Sequence, residues 1–399
     1  MNIKFSIKCN FKIITLMLFS AFILVSSISC MGRSEPQGWP GGVITDGDFV
    51  TASMDGQLIS LDVDSGRQNW EPHLIRVSED DENKRAIYAS PAIYNGIVFL
   101  SSYDGKVHAI SLSDGNLIAS VALDSSFIGG PIIDSDNLFV VSEKGTLYAF
   151  NISISKESKV TLQPIWDSFD IADGVWSTPI VYDELIYITS LDQSIYAIDK
   201  KTGELIWDFD TKGAIVSSPV VYENNLMFGS FDGEFYSLDT KTGIENWVFS
   251  GSDNWYWASP IVGYDLDNPL VFASSLGGNI YAINVETGIL EWESNVESPI
   301  VGTPAIVKDM LVFGSRDETL YVSEISSGIT LGTCDIGDKI ETPISVIDDI
   351  VFFGARDHSI RALKIKPNGN PDEYWDSPYF SDKAKDGKNP NVSDWVPGC

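Results

Sequence analysis

Short runs of alternating apolar and polar residues recur along most of the chain, and turn residues separate them. Alternation with a period of two is typical of β-strands that bury one face. Four such runs make one unit, and the clearest units end in a tryptophan. The pattern therefore predicts sheets of four short antiparallel strands. A clear copy reads Trp176-Ser-Thr-Pro-Ile-Val-Tyr, then Leu185-Ile-Tyr-Ile-Thr-Ser-Leu-Asp, then Ile195-Tyr-Ala-Ile-Asp, then Thr202-Gly-Glu-Leu-Ile-Trp.

This unit recurs eight times. A proline opens the first strand of seven copies at intervals of 39 to 48 residues, and Gly42 takes the equivalent place in the first copy. Four-stranded antiparallel units with a period near 40 residues are typical of β-propeller blades and disfavour an open solenoid. We predict an all-β, eight-bladed β-propeller of four-stranded antiparallel blades over residues 39–376. The prolines are Pro91, Pro131, Pro179, Pro219, Pro260, Pro304 and Pro343.

A tryptophan follows the Ser/Thr-Gly turn of several copies by four residues. This position belongs to the fourth, outermost strand of the blade. We expect the ring to dock on the next blade and its indole N–H to find a hydrogen-bond acceptor there, as buried tryptophans usually do. These tryptophans are Trp70, Trp207, Trp247 and Trp292.

The start of the chain has the layout of an export signal. Three lysines precede an apolar run over residues 13–25, and small residues lead from it to Cys30. This order is typical of a secretory signal peptide, and the cysteine resembles the lipidated first residue of a bacterial lipoprotein. We predict a signal peptide over residues 1–29, lipidation at Cys30 and a tether over residues 30–38. Ordinary secretion and an uncleaved anchor remain alternatives, because Ser27 stands where leucine is usual.

Two cysteines remain in the exported chain once the leader is removed and Cys30 is lipidated. They are Cys334 and Cys399, and an oxidising compartment would allow them to pair. We predict a disulfide that pins a C-terminal tail, residues 377–399, across the outer edge of blade seven or eight. Two unrelated thiols are the alternative.

The charge balance excludes one class of partner. The chain has 26 Lys plus Arg against 56 Asp plus Glu, which gives a formal net charge of −30. Such a polyanion is repelled by a phosphate backbone, so we predict no nucleic-acid partner. The hydrophobic fraction of 44% is sufficient for a large core and excludes wholesale disorder.

The repeat resembles a known family. The phrase Tyr196-Ala-Ile-Asp-x-x-Thr-Gly-x-x-x-Trp207 is similar to the quinoprotein (PQQ-like) β-propeller repeat, and the copies at 236–247 and 281–292 match it with small changes. The resemblance implies the fold of quinoprotein alcohol dehydrogenases. It also implies one of two branches: the quinone-dependent dehydrogenases, or the non-catalytic BamB-type lipoproteins that scaffold outer-membrane assembly. Eight blades and a lipoprotein-like leader are closer in layout to the second branch.

Residues for quinone or metal chemistry are few. The resemblance implies that a dehydrogenase would need PQQ, a Ca²⁺ ion and, in the alcohol-oxidising members, two adjacent cysteines, and this chain has no adjacent cysteines. The run 264–269 could offer oxygens to Ca²⁺, and a long acidic turn is the ordinary explanation. His73, His108 and His358 are scattered over three blades and share no metal-ligand spacing. We predict no catalytic residue, no metal site and no cofactor.

One group of positions could form a binding site. The residue three places before the opening proline lies where the first strand enters the central channel, and four of the eight copies carry an aromatic residue there. We predict an aromatic collar at one mouth of the channel that receives a ligand or a partner's side chain. Filler between neighbouring blades is the alternative. The aromatic residues are Trp39, Tyr88, Trp176 and Trp257.

These observations together predict an exported, lipid-anchored, non-catalytic β-propeller in the cell envelope. We expect it to act as a scaffold for protein–protein contacts. Its expected partners are envelope proteins, and we expect it to be a monomer within a larger complex. Outer-membrane protein assembly is the role that the resemblance implies. A PQQ- and Ca²⁺-dependent dehydrogenase and a small-molecule or glycan-binding sensor that uses the collar are the alternatives.

Overall fold

The structure is a computed structural model that describes residues 40–53, 56–74, 87–123, 125–155, 159–252, 254–263, 268–380 and 399. All of these belong to the unit that spans residues 37–399. The predicted signal peptide, the lipidation site Cys30, the tether and Trp39 lie outside the described residues. So do residues 75–86 and most of the predicted tail.

The described residues form eight antiparallel sheets in chain order, which we call blades 1 to 8. Blade 1 contains β1 (Val43–Thr45), β2 (Asp48–Ala52), β3 (Gln57–Asp62) and β4 (His73–Leu74), and blade 2 contains β5 (Ala92–Tyr94), β6 (Ile97–Ser101), β7 (Lys106–Ser111) and β8 (Leu117–Ala122). Blade 3 contains β9 (Ile132–Asp134), β10 (Asn137–Val141), β11 (Thr146–Ile154), β12 (Val160–Pro164) and β13 (Phe169–Asp170), and blade 4 contains β14 (Ile180–Tyr182), β15 (Leu185–Thr189), β16 (Ser194–Asp199) and β17 (Leu205–Asp210).

The second half of the ring repeats this order. Blade 5 contains β18 (Val220–Tyr222), β19 (Asn225–Gly229), β20 (Phe235–Asp239) and β21 (Glu245–Phe249), and blade 6 contains β22 (Ile261–Gly263), β23 (Leu270–Ser274), β24 (Asn279–Asn284) and β25 (Leu290–Asn295). Blade 7 contains β26 (Ala305–Val307), β27 (Met310–Gly314), β28 (Thr319–Glu324) and β29 (Thr330–Asp335), and blade 8 contains β30 (Ser345–Ile347), β31 (Ile350–Gly354), β32 (Ser359–Ile365), β33 (Pro371–Glu373) and β34 (Tyr379–Phe380).

The predicted all-β, eight-bladed propeller of four-stranded antiparallel blades is confirmed, with a qualification in two blades. In blade 3 the outermost strand is split, since β12 and β13 both pair with β11. In blade 8 both β33 and β34 pair with β32 in the same way. Strand pairing in blade 8 continues to Phe380, four residues beyond the predicted boundary at residue 376.

The core lies between the blades. Strand side chains alternate between the two faces of a sheet, and each face is covered by a neighbouring blade. Val50 and Leu58 of blade 1, for example, pack with Val98 and Leu100 of blade 2 in one buried cluster. Each of the eight neighbouring pairs of blades shares such a cluster.

The ring closes between blade 8 and blade 1 without exchanging strands. Phe49 and Phe352 stack there with ring centroids 5.0 Å apart. The hydroxyl of Ser345 donates a hydrogen bond of 2.7 Å to the carbonyl of Gly42, and the indole N–H of Trp375 donates one of 2.8 Å to the carbonyl of Val63. Because every blade comes from one continuous stretch of chain, side-chain packing and these bonds hold the ring shut.

The predicted docking of the tryptophans is confirmed. Each of the four donates its indole N–H to a carbonyl of the next blade, and Trp166 and Trp375 do the same. Trp70 departs from the expected place, because it lies between β3 and β4 instead of within the outermost strand. The acceptors are the carbonyls of Leu112 for Trp70 (2.9 Å), Thr240 for Trp207 (3.1 Å), Val285 for Trp247 (2.8 Å) and Ile325 for Trp292 (3.0 Å).

The turn glycines complete these clasps. Gly288 has a φ of +68°, which favours glycine, and a Cβ atom placed on it would stand 2.6 Å from the indole of Trp247. The Thr-Gly turn thus serves two purposes: it reverses the chain and presents a flat backbone surface to the tryptophan of the preceding blade. This contact explains why the turn glycine and the tryptophan recur together in the sequence.

The C-terminal residue is attached to blade 7. Cys334 lies in β29, the outermost strand of that blade, and it is joined to Cys399 by a disulfide with the two Cα atoms 5.2 Å apart. The side chain of Cys334 is buried in the cluster between blades 7 and 8. The bond closes a stretch of chain that contains all of blade 8. No helix in the described part of the chain is long and apolar enough to span a membrane.

Candidate functional site

A cavity of about 750 Å³ opens at one mouth of the central channel. The predicted collar residues Tyr88, Trp176 and Trp257 all line it. The equivalent residues of other blades, Ile128 and Val216 among them, line it as well. Pockets of about 300–1,000 Å³ are of the usual size for ligand sites. The structure thus brings three of the four predicted collar residues to one cavity, and the fourth, Trp39, lies outside the described residues.

An aromatic wall occupies one side of this cavity. The rings of Trp176 and Trp257 lie 6.2 Å apart, and Phe231 stacks on Trp257 at 5.7 Å. Trp255 continues the row, because it stacks on Phe231 with centroids 4.9 Å apart. Trp176 is 37% exposed and Trp255 is 51% exposed. Large aromatic residues with this exposure are unusual for filler, and they extend the apolar surface from the cavity onto the rim.

Tyr88 lies apart from this wall. Its ring packs edge-on against Tyr103 with centroids 5.7 Å apart, and both residues line the cavity. Burial, together with the nearby Tyr103 and Glu143, raises the pKa of Tyr88 to about 12. The phenol of Tyr88 is therefore protonated at neutral pH, so it is able to donate a hydrogen bond.

Hydroxyl groups hold the inner strands together beside the collar. The backbone N–H of Thr178 donates to the hydroxyl of Ser218 at 3.0 Å, and the N–H of Ser218 donates to the hydroxyl of Ser259 at 3.1 Å. The N–H of Gly130 donates to the hydroxyl of Thr178 at 2.8 Å. These bonds link blades 3 to 6 around the channel. They fix the backbone from which the aromatic wall projects.

A charged cluster that the sequence reasoning missed stands across the cavity. Glu341 is only 4% exposed, and two arginines hold its carboxylate. The Nε atom of Arg316 contacts one oxygen at 2.5 Å, and the Nε atom of Arg356 contacts the other at 2.7 Å. Arg316 and Glu341 line the cavity. A signal for this cluster exists, because Glu341 follows the collar position where the other copies carry small residues such as Ala89 and Ser177.

The aspartates of the turns at this face have a structural role. Asp192 accepts hydrogen bonds from the backbone N–H of Ser194 at 3.0 Å and from the phenol of Tyr196 at 2.6 Å. Burial and this bond raise the pKa of Tyr196 to about 12. The pattern recurs as Asp232 with Tyr236 and as Asp317 with Tyr321. The Asp-x-x-x-Tyr spacing therefore ties each of these three turns to its own blade, a contact that we call the staple.

His108 occupies the tyrosine position of this staple in blade 2. Its Nε2 atom lies 3.0 Å from Asp104, and its Nδ1 atom lies 2.9 Å from the hydroxyl of Ser120. The three side chains are of the residue types found in a Ser-His-Asp triad, and the resemblance goes no further. The equivalent pairs in other blades are structural, so we assign this one to the staple and give it no catalytic role.

The described residues do not provide a calcium site in the cavity. Among the described residues that line it, Glu341 is the only acidic one, and guanidinium groups contact both of its oxygens. Ca²⁺ needs several oxygen ligands, carboxylates above all. Among the described residues no group of three or more His, Cys, Asp or Glu side chains could hold a metal ion. Of the run 264–269 that could offer oxygens to Ca²⁺, residues 264–267 lie outside them. Cys334 and Cys399 lie at the outer strand of blade 7 instead of the mouth.

Comparison with known proteins places the chain in a family. The family model described as outer membrane protein assembly factor BamB matches residues 55–158, 158–256 and 250–335, which together exceed half of the chain. The chain belongs to the BamB family. The predicted resemblance to BamB-type, PQQ-like propellers is thereby confirmed.

Relatives within the BamB family are distant. The BamB of Taylorella asinigenitalis (strain MCE3) is 26% identical over 162 residues, which are 40% of this chain and 40% of that protein. The BamB of Moranella endobia (strain PCIT) is 22% identical over 297 residues, which are 71% of each chain. The chain spans about two fifths of the length of the first curated relatives that it matches.

Solved structures support the fold alone. BamB from Moraxella catarrhalis superposes with a TM-score of 0.60 at 17% identity and covers 73% of this chain and 87% of its own. A quinohemoprotein alcohol dehydrogenase from Pseudomonas putida HK5 superposes with a TM-score of 0.64 at 16% identity and covers 80% of this chain and 70% of its own. Because a BamB and a dehydrogenase both match, the shared propeller does not choose between scaffold and enzyme.

Proposed function

We propose that the chain is an exported, non-catalytic scaffold for protein–protein contacts in the cell envelope, and that it takes part in outer-membrane protein assembly. The match of the BamB family model across residues 55–335 carries this proposal. The architecture supports it, because tryptophan clasps and shared clusters make a stiff ring that displays loops and strand edges to a partner. The aromatic collar of Tyr88, Trp176 and Trp257 is the surface that we assign to a partner.

The proposal includes the location and the anchor. Lipidation at Cys30 would tether the ring to a membrane, since one or more acyl chains supply reversible or stable binding. The expected partners are envelope proteins, and we expect one copy of the chain within a larger complex. No cofactor is expected, because Glu341, the only carboxylate among the described residues of the cavity lining, is already paired with two arginines.

A quinone-dependent dehydrogenase is the second candidate. A cavity of about 750 Å³ with exposed tryptophans favours it, together with the dehydrogenase fold of similar shape. The residues that line the cavity do not fit Ca²⁺, so we derive no reaction step through a quinone. A sensor that binds a small molecule or a glycan at the same collar remains the alternative that a binding assay would reveal.

Cross-linking in cells that make the protein tests the scaffold. We expect the full chain, isolated from detergent-solubilised membranes, to carry an integral outer-membrane protein with it. Cells lacking the chain should contain less folded outer-membrane protein. The Cys30→Ser variant should move from the membrane fraction to the soluble fraction, which tests the anchor separately. A chain that is isolated alone, or a deletion that leaves outer-membrane protein levels unchanged, would contradict the proposal.

A further inference from the structure

We propose that the cavity at the channel mouth binds a peptide segment that presents an aromatic side chain next to a carboxylate. The aromatic side chain would enter the cavity against Trp176 and Trp257, and the carboxylate would pair with Arg316. This inference rests on the proposed function, because it names the chemistry of the partner segment that the scaffold receives.

The aromatic half of the ligand follows from the wall. Trp176 and Trp257 line the cavity with their rings 6.2 Å apart, and 37% of the Trp176 surface is exposed. Offset and tilted ring contacts add to the burial of apolar area when an aromatic side chain packs against such a surface. Exposed aromatic residues around a concave pocket are also the usual anchors of protein interfaces.

The carboxylate follows from the charged cluster. Arg316 and Arg356 carry two positive charges and Glu341 carries one negative charge, so the cluster keeps an excess of one positive charge. The Arg316 side chain is 42% exposed and lines the cavity, and its Nε atom is used by Glu341. A guanidinium presents five N–H donors, and it pairs well with a second carboxylate at its outer edge.

The direction of the ligand follows from where the rings and the charge line the cavity. Arg316 lines it from blade 7, whereas Trp176 and Trp257 line it from blades 4 and 6. The carboxylate is therefore favoured beside Arg316 and the aromatic side chain beside the tryptophans. The net charge of −30 repels anions at long range, so only a segment whose aromatic side chain already fills the cavity gains from the arginine.

A peptide is favoured over a free small molecule because the apolar surface continues beyond the cavity. Phe231 and Trp255 do not line the cavity, yet they extend the wall outwards through ring contacts of 5.7 and 4.9 Å. A ligand that fills only the cavity leaves Trp255 uncovered at 51% exposure. Residues that flank the aromatic side chain of a peptide would cover it.

Calorimetric titration of the folded exported chain with short amidated peptides tests this inference. The probes are Gly-Ser-Phe-Asp-Ser-Gly, its Phe-Asn counterpart and its Ala-Asp counterpart, with N-acetyl-phenylalanine as the small molecule. We expect the Phe-Asp peptide to bind about tenfold more tightly than the Phe-Asn peptide, as one charge-assisted pair would give. We expect no saturable binding of the Ala-Asp peptide. These comparisons use the unaltered protein, so they hold even if a variant fails to fold.

Variants assign the binding to residues. Arg316→Gln should lower the affinity for the Phe-Asp peptide to that for the Phe-Asn peptide. The control is Lys308→Gln, in an exposed turn between β26 and β27, and it should leave the affinity for both peptides unchanged. Trp255→Ala should weaken the peptide and leave N-acetyl-phenylalanine unchanged. The inference is overturned if the Phe-Asp and Phe-Asn peptides bind equally, or if N-acetyl-phenylalanine binds as tightly as the peptide. If the peptides do not bind but envelope partners are still isolated with the chain, this inference is wrong and the proposed scaffold function is retained. If the peptides bind but no such partner is isolated, only the scaffold function is contradicted.

Discussion

Replacing Trp247 by alanine is expected to lower the free energy of unfolding by about 3–5 kcal/mol, the usual cost of removing a buried aromatic side chain. Trp247 is 9% exposed and packs in the cluster between blades 5 and 6, with Phe235 at 6.2 Å. Its indole N–H donates to the carbonyl of Val285 at 2.8 Å, and its ring covers Gly288. The change would open a cavity and leave a buried carbonyl without its donor, and both effects destabilise the same interface.

Trp255→Ala is the matched control for this change. Trp255 precedes the first strand of blade 6 and is 51% exposed. Its replacement should therefore lower the free energy of unfolding by about 1 kcal/mol or less. Urea unfolding followed by circular dichroism compares the two variants. Equal losses for Trp247→Ala and Trp255→Ala, or a loss below about 1 kcal/mol for Trp247→Ala, would show that the clasps do not hold the ring together.

Replacing Cys399 by serine is expected to lower the free energy of unfolding by about 2–4 kcal/mol. The disulfide to Cys334 spans a sequence separation of 65 residues and encloses blade 8, which closes the ring against blade 1. Opening so long a loop increases the conformational freedom of the unfolded chain. Thermal unfolding of the variant, compared with the oxidised protein, measures the loss.

Two controls separate the cross-link from packing. Reduction of the unaltered protein should lower its melting temperature as Cys399→Ser does, and should have no effect on the variant. Cys334→Ser should cost more than Cys399→Ser, because Cys334 is 1% exposed in the core cluster of blades 7 and 8 and a hydroxyl there is poorly accommodated. Two titratable thiols in the folded, unreduced chain would contradict the disulfide.

The propeller fold could be predicted because one sequence unit recurs in every blade. The proline that opens each blade, the Thr-Gly turn and the tryptophan recur at near-constant spacing, and each has a local physical cause, as the contact of Trp247 with Gly288 illustrates. Contacts that occur once could not be predicted in this way. Phe49 and Phe352 close the ring across nearly the whole chain, and no local pattern links the two positions.

The aromatic part of the candidate site could be predicted from the sequence, and the charged part could not. The collar residues share a register with the opening proline, so Tyr88, Trp176 and Trp257 could be placed at one mouth. The sequence marks Glu341 as unusual for its position, but its pairing with Arg316 and Arg356 could not be predicted, since these residues come together only when blades 7 and 8 pack side by side. The split outermost strands of blades 3 and 8 were missed for a related reason, because neither segment keeps the repeat's spacing.

We propose that the channel mouth contacts protein partners and supports no quinone chemistry. Titration of the exported chain with pyrroloquinoline quinone and Ca²⁺, followed by tryptophan fluorescence together with dye-coupled alcohol oxidation, tests it most directly. Trp176 and Trp257 line the cavity, so a quinone bound there would quench their emission. We expect no saturable quenching and no turnover at high micromolar quinone. Saturable quenching accompanied by Ca²⁺-dependent alcohol oxidation would contradict the account and make the protein an enzyme.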